Sequence, residues 1–428
     1  MHNLPRCRRG SAAFVTVVAL VPLIGVVALG GEAGSWYVTK QHAQNAADAA
    51  AIAGGLRLAC SISGSSTCDA AQDYVYRGKQ FAAQNAFCNT GDSSYPGSQC
   101  ASLPTGTSQT VQIDQPTGAR VRAIVSQQQP AYLAKVLGFS TVNIGATAIA
   151  EVKNPKELCA LGLGRWPSSQ SALTISGSMN ITGTGCGMMS NDTVKYASTP
   201  SFSGSGWAVY GANGCVNSGN CDPGVPYNYY MPPATNPLQV LDTESFNTRT
   251  GNTKPCSGKC NTVTLNPNST GAYGNLTVTT GDNVTFNPGT YFFYNATIKI
   301  NGGTVNGTGV TIVLLGDSSL SISGGTVNLS APATNTTSAD LNGVLIDDQA
   351  PHKSNNAVTV NGGGTVTLGG AMYFPNVDVT WSGTAQNANT TCSEVIANSL
   401  TMSGNAYMSS QNCVPSTVSQ TQVVVLVK

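Results

Sequence analysis

Charge is the first thing this sequence lacks. Asp, Glu, Lys and Arg make up 9% of its 428 residues, against about 25% in an average soluble domain. The formal net charge is +1, so nothing recommends nucleic acid or an anionic surface as a partner. Histidine is equally scarce: there are 3, and two of them, His2 and His42, lie in or near the N-terminal apolar segment. A Ser-His-Asp triad cannot be assembled from such material. No arginine follows Arg249, and beyond it lysine is confined to Lys254, Lys259, Lys299, Lys353 and Lys428, which leaves a lyase short of a base. Glycine-rich phosphate loops, EF-hand loops and the Gly-Gly-x-Gly-x-Asp calcium repeat are also missing. The sequence therefore reads as that of a non-enzyme without a cofactor or metal.

Glycine is what the chain has instead, with 48 residues, and hydrophobic content still reaches 41%. Abundant Gly, Asn, Thr and Val with few charges predict a mainly β protein of short strands and many turns. Cysteine points to an oxidising compartment. Of 13 cysteines, Cys7 precedes the only long apolar run and the other twelve follow it. They fall in neighbours that suggest disulfides Cys60/Cys68, Cys88/Cys100, Cys159/Cys186, Cys215/Cys221, Cys256/Cys260 and Cys392/Cys413, although spacing alone does not fix connectivity. Cys256-Ser-Gly-Lys-Cys260 also has metal-ligand spacing, but no second Cys or His pair lies nearby to complete a zinc site.

The apolar run extends from Gly10 to Gly31 without a charge. As a helix rising 1.5 Å per residue it spans roughly 33 Å, the thickness of a bilayer core. Arg6, Arg8 and Arg9 on its N-terminal side place that end in the cytoplasm. Glu32 closes the run, and Trp36 and Tyr37 sit where an interfacial aromatic belt would lie. A cleaved signal peptide is the alternative, but the run is longer than a usual h-region and the cleavage site is mediocre. Either reading exports the remainder. Beyond the run, Ala43, Ala46, Ala47, Ala50, Ala51 and Gly54 recur at helical spacing and predict a continuing helix with a face for close packing.

The stretch RRGSAAFVTVVALVPLIGVVALGGEAGSWYVTKQHAQNAADAAAIAGG resembles the N-terminal region of TadG-like proteins of Flp (Tad) pilus assembly, over about residues 6–55. The Arg-Arg-Gly start, the acidic residue before Gly and an aromatic, and Gln-Asn-Ala-Ala-Asp-Ala-Ala-Ala carry the resemblance. It implies a single-pass bacterial inner-membrane protein whose bulk is periplasmic or extracellular, with other pilus-assembly or envelope proteins as partners. Glu32 stands where that family usually has Asp. Related TadE-type pseudopilins carry a Glu after the processing site, and counting from Gly10 that position is Val15. The resemblance thus implies a permanent anchor rather than a polymerising pilin.

The expected organisation is a cytoplasmic N-terminus (1–9), a transmembrane helix (10–31), a helical extension (32–57), an α+β collar (58–154) and a β domain (155–428). In the collar, Cys68 to Phe87 has helical periodicity. Val111–Ile113, Ala119–Val125 and Thr141–Val152 read as strands, and Pro130–Leu137 as a short helix with Pro in its first turn. After Asn154-Pro155 helical periodicity vanishes. Apolar–polar–apolar triplets follow, including Leu173–Ile175, Leu276–Val278, Val284–Phe286, Ile298–Ile300, Val310–Ile312, Leu320–Ile322, Val358–Val360 and Val366–Leu368. Gly-Gly-Thr-Val recurs at Gly302, Gly324 and Gly363, and the first two copies are about 22 residues apart, within the range of solenoid repeats. These features favour a parallel β-helix, whose stacked turns allow Asn, Thr and Ser ladders but would set like charges against each other. A β-sandwich is the alternative, with longer alternation per strand.

Parallel β-helices include polysaccharide-cleaving enzymes, which need convergent carboxylates. The one candidate is Asp347-Asp348 with His352 and Lys353. Neighbouring strand residues point to opposite faces, so the two carboxylates cannot share a substrate from a strand. The Gln-Ala-Pro that follows suggests a solvated surface turn. Tyr227, Tyr229 and Tyr230 form an exposed-looking loop, and Tyr373 and Trp381 lie late in the β region. Such aromatics serve either as packing or as a shelf for a glycan, which keeps an adhesin or glycan-binding module as the alternative function.

Overall fold

The computed structural model describes residues 9–63, 71–92, 94–166, 171–176, 179–217, 221–244, 246, 249–256, 258–268, 270–351, 358–383 and 392–427. They form two compact units. The first holds Met1–Ile62, Asp69–Lys153 and Val424–Lys428, and the second Ser63–Cys68 and Asn154–Val423.

In the first unit a single helix, α1, runs from Arg9 to Ser63. Its apolar part is long and apolar enough to cross a membrane, and the most apolar window is entirely uncovered by protein. Its later part behaves differently. Ala43, Ala46, Ala47, Ala50 and Ala51 are fully buried against an antiparallel sheet of β1 (Ser108–Thr117), β2 (Arg120–Pro130) and the first part of β3 (Thr141–Gly162). The small residues are what permit this approach: a Cβ on Gly54 would come 2.8 Å from Val121 Cγ1, and one on Gly55 2.8 Å from Val424 Cγ1. The sheet answers with its own small residues, Ala123, Ala146, Ala148 and Ala150. On the other face of the hairpin, Arg122 holds Asp114 with two bonds of 3.0 and 2.6 Å.

A second helix, α2 (Tyr74–Gln84), is capped by Asp73, whose side chain accepts from Tyr76 N at 2.7 Å. It starts where a carboxylate can satisfy an open backbone N–H, inside the longer stretch that periodicity suggests. Pro130 requires a correction. It ends β2 rather than opening a helix, and only a 3-10 turn, Ala134–Leu137, follows. Its lack of an N–H costs nothing at a strand end, and Gln129 before it keeps the extended backbone that a following proline favours.

The second unit is almost wholly β, and the ladders between its described strands are parallel. Asn283 pairs with Thr304 and Thr304 with Thr326, offsets of 21 and 22 residues. The same offset joins Gly289 to Val310 and Gly187 to Ala208. Side chains repeat it: Asn287 Nδ2 donates to Asn266 Oδ1 at 2.7 Å, and Ser323 Oγ to Asn301 Oδ1 at 2.8 Å. Along Thr297–Thr308 and Ser319–Ser330, alternate residues are buried, and their apolar side chains join one long core with Leu276, Val366 and Leu400. The Gly-Gly-Thr-Val copies lie in register, Thr304 on Thr326 on Thr365. At Gly325 φ is +91° and a Cβ would meet Gly302 C at 2.7 Å, so both backbone shape and neighbour demand glycine.

The order of strands is not the order of the chain. Leu158–Gly162 and Leu173–Ile175 pair on one side with Gly187–Ser190 and Val194–Tyr196, which pair onward with Ala208–Gly211 and Cys215–Asn217. On the other side they pair with Val395–Ala397 and Leu400–Met402, near the end of the chain. The chain thus enters the succession in its middle and runs to one end. It then crosses to the other end before Thr262 and returns to close against its own starting strands. The crossing stretch includes Leu238 and the 3-10 turn Gln239–Thr243 that follows it, and Leu238 and Leu241 pack with Phe292, Val313 and Tyr373.

Candidate functional sites on the first helix and in a carboxylate cleft

Glu32 is the first chemically distinctive residue of α1 after its apolar run. Its Oε1 accepts from Tyr132 N at 2.7 Å, and its Oε2 from Leu133 N at 3.1 Å and Ala134 N at 2.9 Å. Three successive backbone N–H groups at the start of a 3-10 turn thus converge on one carboxylate. Tyr132 is 74% exposed and Phe139 60% exposed, and Lys135 lies between them. A groove of about 300 Å³ beside this clamp is lined by Glu32, Trp36, Pro104 and Leu133. Glu32 was legible as a charge closing an apolar run, but its partners, a hundred residues on, were not. Arg6 and Arg8 lie outside the described residues, and Arg9 opens α1.

The structure pairs Cys88 with Cys100, Cys159 with Cys186, Cys215 with Cys221, Cys256 with Cys260 and Cys392 with Cys413. Cys60 is disulfide-bonded, and Cys68 lies outside the described residues. The bond between Cys256 and Cys260 removes both as zinc ligands. Cys392, Glu394 and Cys413 bring their ligand atoms within 4.8 Å of one another, yet the two sulfurs are bound to each other. Glu394 is buried and accepts from Thr417 Oγ1 at 3.2 Å. Burial pushes its pKa up to about 8, with Glu157 adding to the rise and the Thr417 bond opposing it.

Asp347 and Asp348 correct the expectation of a solvated surface turn. They end the strand Val344–Asp348 and are both buried; His352 and Lys353 lie outside the described residues. Parallel neighbours on both sides explain the burial: Asp347 sits level with Val313 and Tyr373, and Asp348 with Leu314. The alternation expected of a strand holds. Asp348 faces the long core containing Leu314, where its Oδ1 accepts from Ala350 N at 2.9 Å and burial raises its pKa to about 7. Asp347 faces the side covered by the crossing stretch. There it lines a cleft of about 450 Å³ together with Arg165, Asp242, Glu244, Gln349 and Tyr373.

The cleft is wired closely. Tyr373 Oη donates to Asp242 Oδ1 at 2.7 Å while accepting from Asn236 Nδ2 at 2.9 Å. Arg165 donates to Asp242 Oδ2 at 2.5 Å. Burial works against the guanidinium charge, but the Asp242 bond and nearby Tyr373 leave its pKa raised. Gln349 Nε2 donates to Asp347 Oδ2 at 2.9 Å, and Ser338 Oγ to Glu244 Oε1 at 2.6 Å. Asp347 Oδ1 is buried with no hydrogen-bond partner. Burial above all, with Asp348, Asp242 and Glu244 adding, raises the Asp347 pKa well above the carboxylate range, although the Gln349 bond opposes it. Arg165 and Asp242 escape sequence reasoning, and Tyr373 is legible there only as a late aromatic, because distant segments bring the three together.

Of the other aromatics, Tyr227 and Tyr230 are exposed, whereas Tyr229 donates to Cys221 O at 2.7 Å. Tyr373 and Trp381 are buried.

Residues 10–71 match the family described as putative Flp pilus-assembly TadE/G-like. The match takes in the apolar run, the Glu32 clamp residue and the alanine-lined part of α1. No curated protein and no solved structure matches the chain.

Proposed function

We propose that this protein is a non-catalytic, membrane-anchored component of the bacterial envelope that works in Flp pilus assembly and presents a parallel β-helix outside the cytoplasm. The single observation that carries the reading is the Tad-type match over residues 10–71. Several features support it. The uncovered apolar part of α1 has the length and composition of a membrane span, and Arg6, Arg8 and Arg9 precede it. Glu32 fastens the exposed Tyr132 turn to the helix just past that span, where amphipathic aromatic rings are at home in an interface. The disulfides fit an oxidising compartment. Parallel ladders with a 21- to 22-residue offset, a continuous inner core and stacked Asn and Ser bonds are what a β-helix requires.

The test is removal of the gene from its native host, with surface pili sheared off and quantified. Pilus loss restored by the full chain, but not by a chain lacking residues 10–31, is expected. Undiminished pili in the deletion strain would contradict the proposal.

A further inference from the structure

The cleft beside Asp347 has a property the envelope role does not use: a buried carboxyl oxygen without a partner, facing a polar hollow. Leaving a buried polar atom unsatisfied is costly, so such a position is a natural place for a ligand group. The volume, about 450 Å³, falls within the roughly 300–1,000 Å³ of small-molecule sites. The ligand's chemistry follows from what the lining already does. Asp242 has both oxygens engaged, by Tyr373 and by Arg165, and the guanidinium in the wall opposes a metal cation or an amine. Asp242 and Glu244 together oppose an anion. What remains is a neutral ligand that both donates and accepts hydrogen bonds.

The rim adds an aromatic surface. Trp166, 43% exposed, follows Arg165 directly, and its indole N–H donates to Asn376 Oδ1 at 3.3 Å. Asn376 and Arg165 both line the cleft, so the indole stands at its edge. An exposed aromatic face beside convergent polar groups suits a sugar ring, which offers C–H faces to the indole and hydroxyls to the carboxyls. We propose that this cleft binds a neutral glycan, with one hydroxyl on Asp347 Oδ1 and a sugar ring on Trp166. The raised pKa of Asp347 fits the assignment, since a protonated carboxyl gives the ligand a donor without adding charge. The proposal does not depend on the pilus role.

The test uses the full chain in a detergent without a sugar headgroup. Cellopentaose, maltopentaose and chitopentaose are titrated as neutral probes, with chitosan and galacturonate oligomers as charged ones, and binding is read by tryptophan fluorescence and saturation-transfer NMR. At least one neutral probe is expected to bind saturably. Trp166→Ala and Asp347→Leu each weaken that binding at least about tenfold, while Asp347→Asn, which keeps a donor and an acceptor, stays within about threefold. Because Trp166 is partly exposed, its variant tests the site even if Asp347→Leu misfolds. Absence of saturable binding by every neutral probe, binding of the charged oligomers alone, or full-strength binding by Trp166→Ala would overturn the proposal.

Discussion

The two units earn their cores by different routes. In the first, the β1–β2 hairpin joins neighbours in sequence, and one helix covers the sheet through alanines and glycines. In the second, an offset of 21 or 22 residues recurs in many of the ladders and widens to 39 between Thr326 and Thr365, and the chain finally closes on strands it made at the start, Val395 against Ala160 and Leu400 against Leu173. Local repetition builds most of that unit, but its seam depends on residues from opposite ends of its chain. Loop closure makes such pairings costly in entropy and slow to form. Disulfides flank the seam on both sides: Cys159–Cys186 beside the first strands and Cys392–Cys413 beside the last.

The largest expected effect follows from that seam. Cys159→Ser with Cys392→Ser should cost the second unit more than Cys88→Ser costs the first. Each lost disulfide is worth about 2–4 kcal/mol, so the double variant should melt well below wild type by calorimetry, before the first unit responds. Equal losses in the two units would remove the distinction between seam and hairpin.

A glycine comparison comes next. Gly325→Ala places a Cβ 2.7 Å from Gly302 backbone atoms at φ +91°, costing about 2–4 kcal/mol. Gly54→Ala meets mainly Val121 Cγ1 at 2.8 Å, and a side chain can yield, so about 1 kcal/mol is expected. Thermal unfolding of both variants checks the order.

These positions also show how much the sequence revealed. The apolar–polar–apolar triplets and the recurring Gly-Gly-Thr-Val were legible because each rests on neighbours within a few residues, and the structure sets those copies in register. The alanine spacing of α1 was legible for the same reason. The entry of the chain in mid-succession was not, because no local pattern records which strand Val395 meets. Neither was the burial of Asp347 and Asp348, which depends on the flanking strands and on a crossing stretch a hundred residues earlier. The cleft shares that difficulty: Arg165, Asp242 and Tyr373 become neighbours only through the crossing.

A smaller effect concerns pH. Folded Glu394 keeps its proton up to about pH 8, whereas an unfolded Glu releases it near about 4.3. The folded state binds the extra proton between those values, so stability falls as pH rises through that window and levels off above it. Glu394→Gln should flatten the fall and raise stability at pH 8, with Asp348, raised to about 7, leaving a residual slope. Denaturant midpoints from pH 4 to pH 9 check this, and an unchanged slope would remove Glu394 as its source.

The smallest effect lies in the first unit. Glu32→Ala frees the N–H groups of Tyr132, Leu133 and Ala134, at about 1–2 kcal/mol locally. Hydrogen exchange should quicken at those amides while the alanine-packed part of α1 keeps its protection.

The central claim is an exported chain held by a retained helix, and it is tested most directly by mass mapping of protein extracted from native membranes, with and without reductant. The account predicts N-terminal peptides that include the apolar run, together with disulfide-linked Cys88–Cys100, Cys159–Cys186, Cys215–Cys221, Cys256–Cys260 and Cys392–Cys413. Free thiols at these positions, or a mature chain that begins beyond the apolar run, would contradict it.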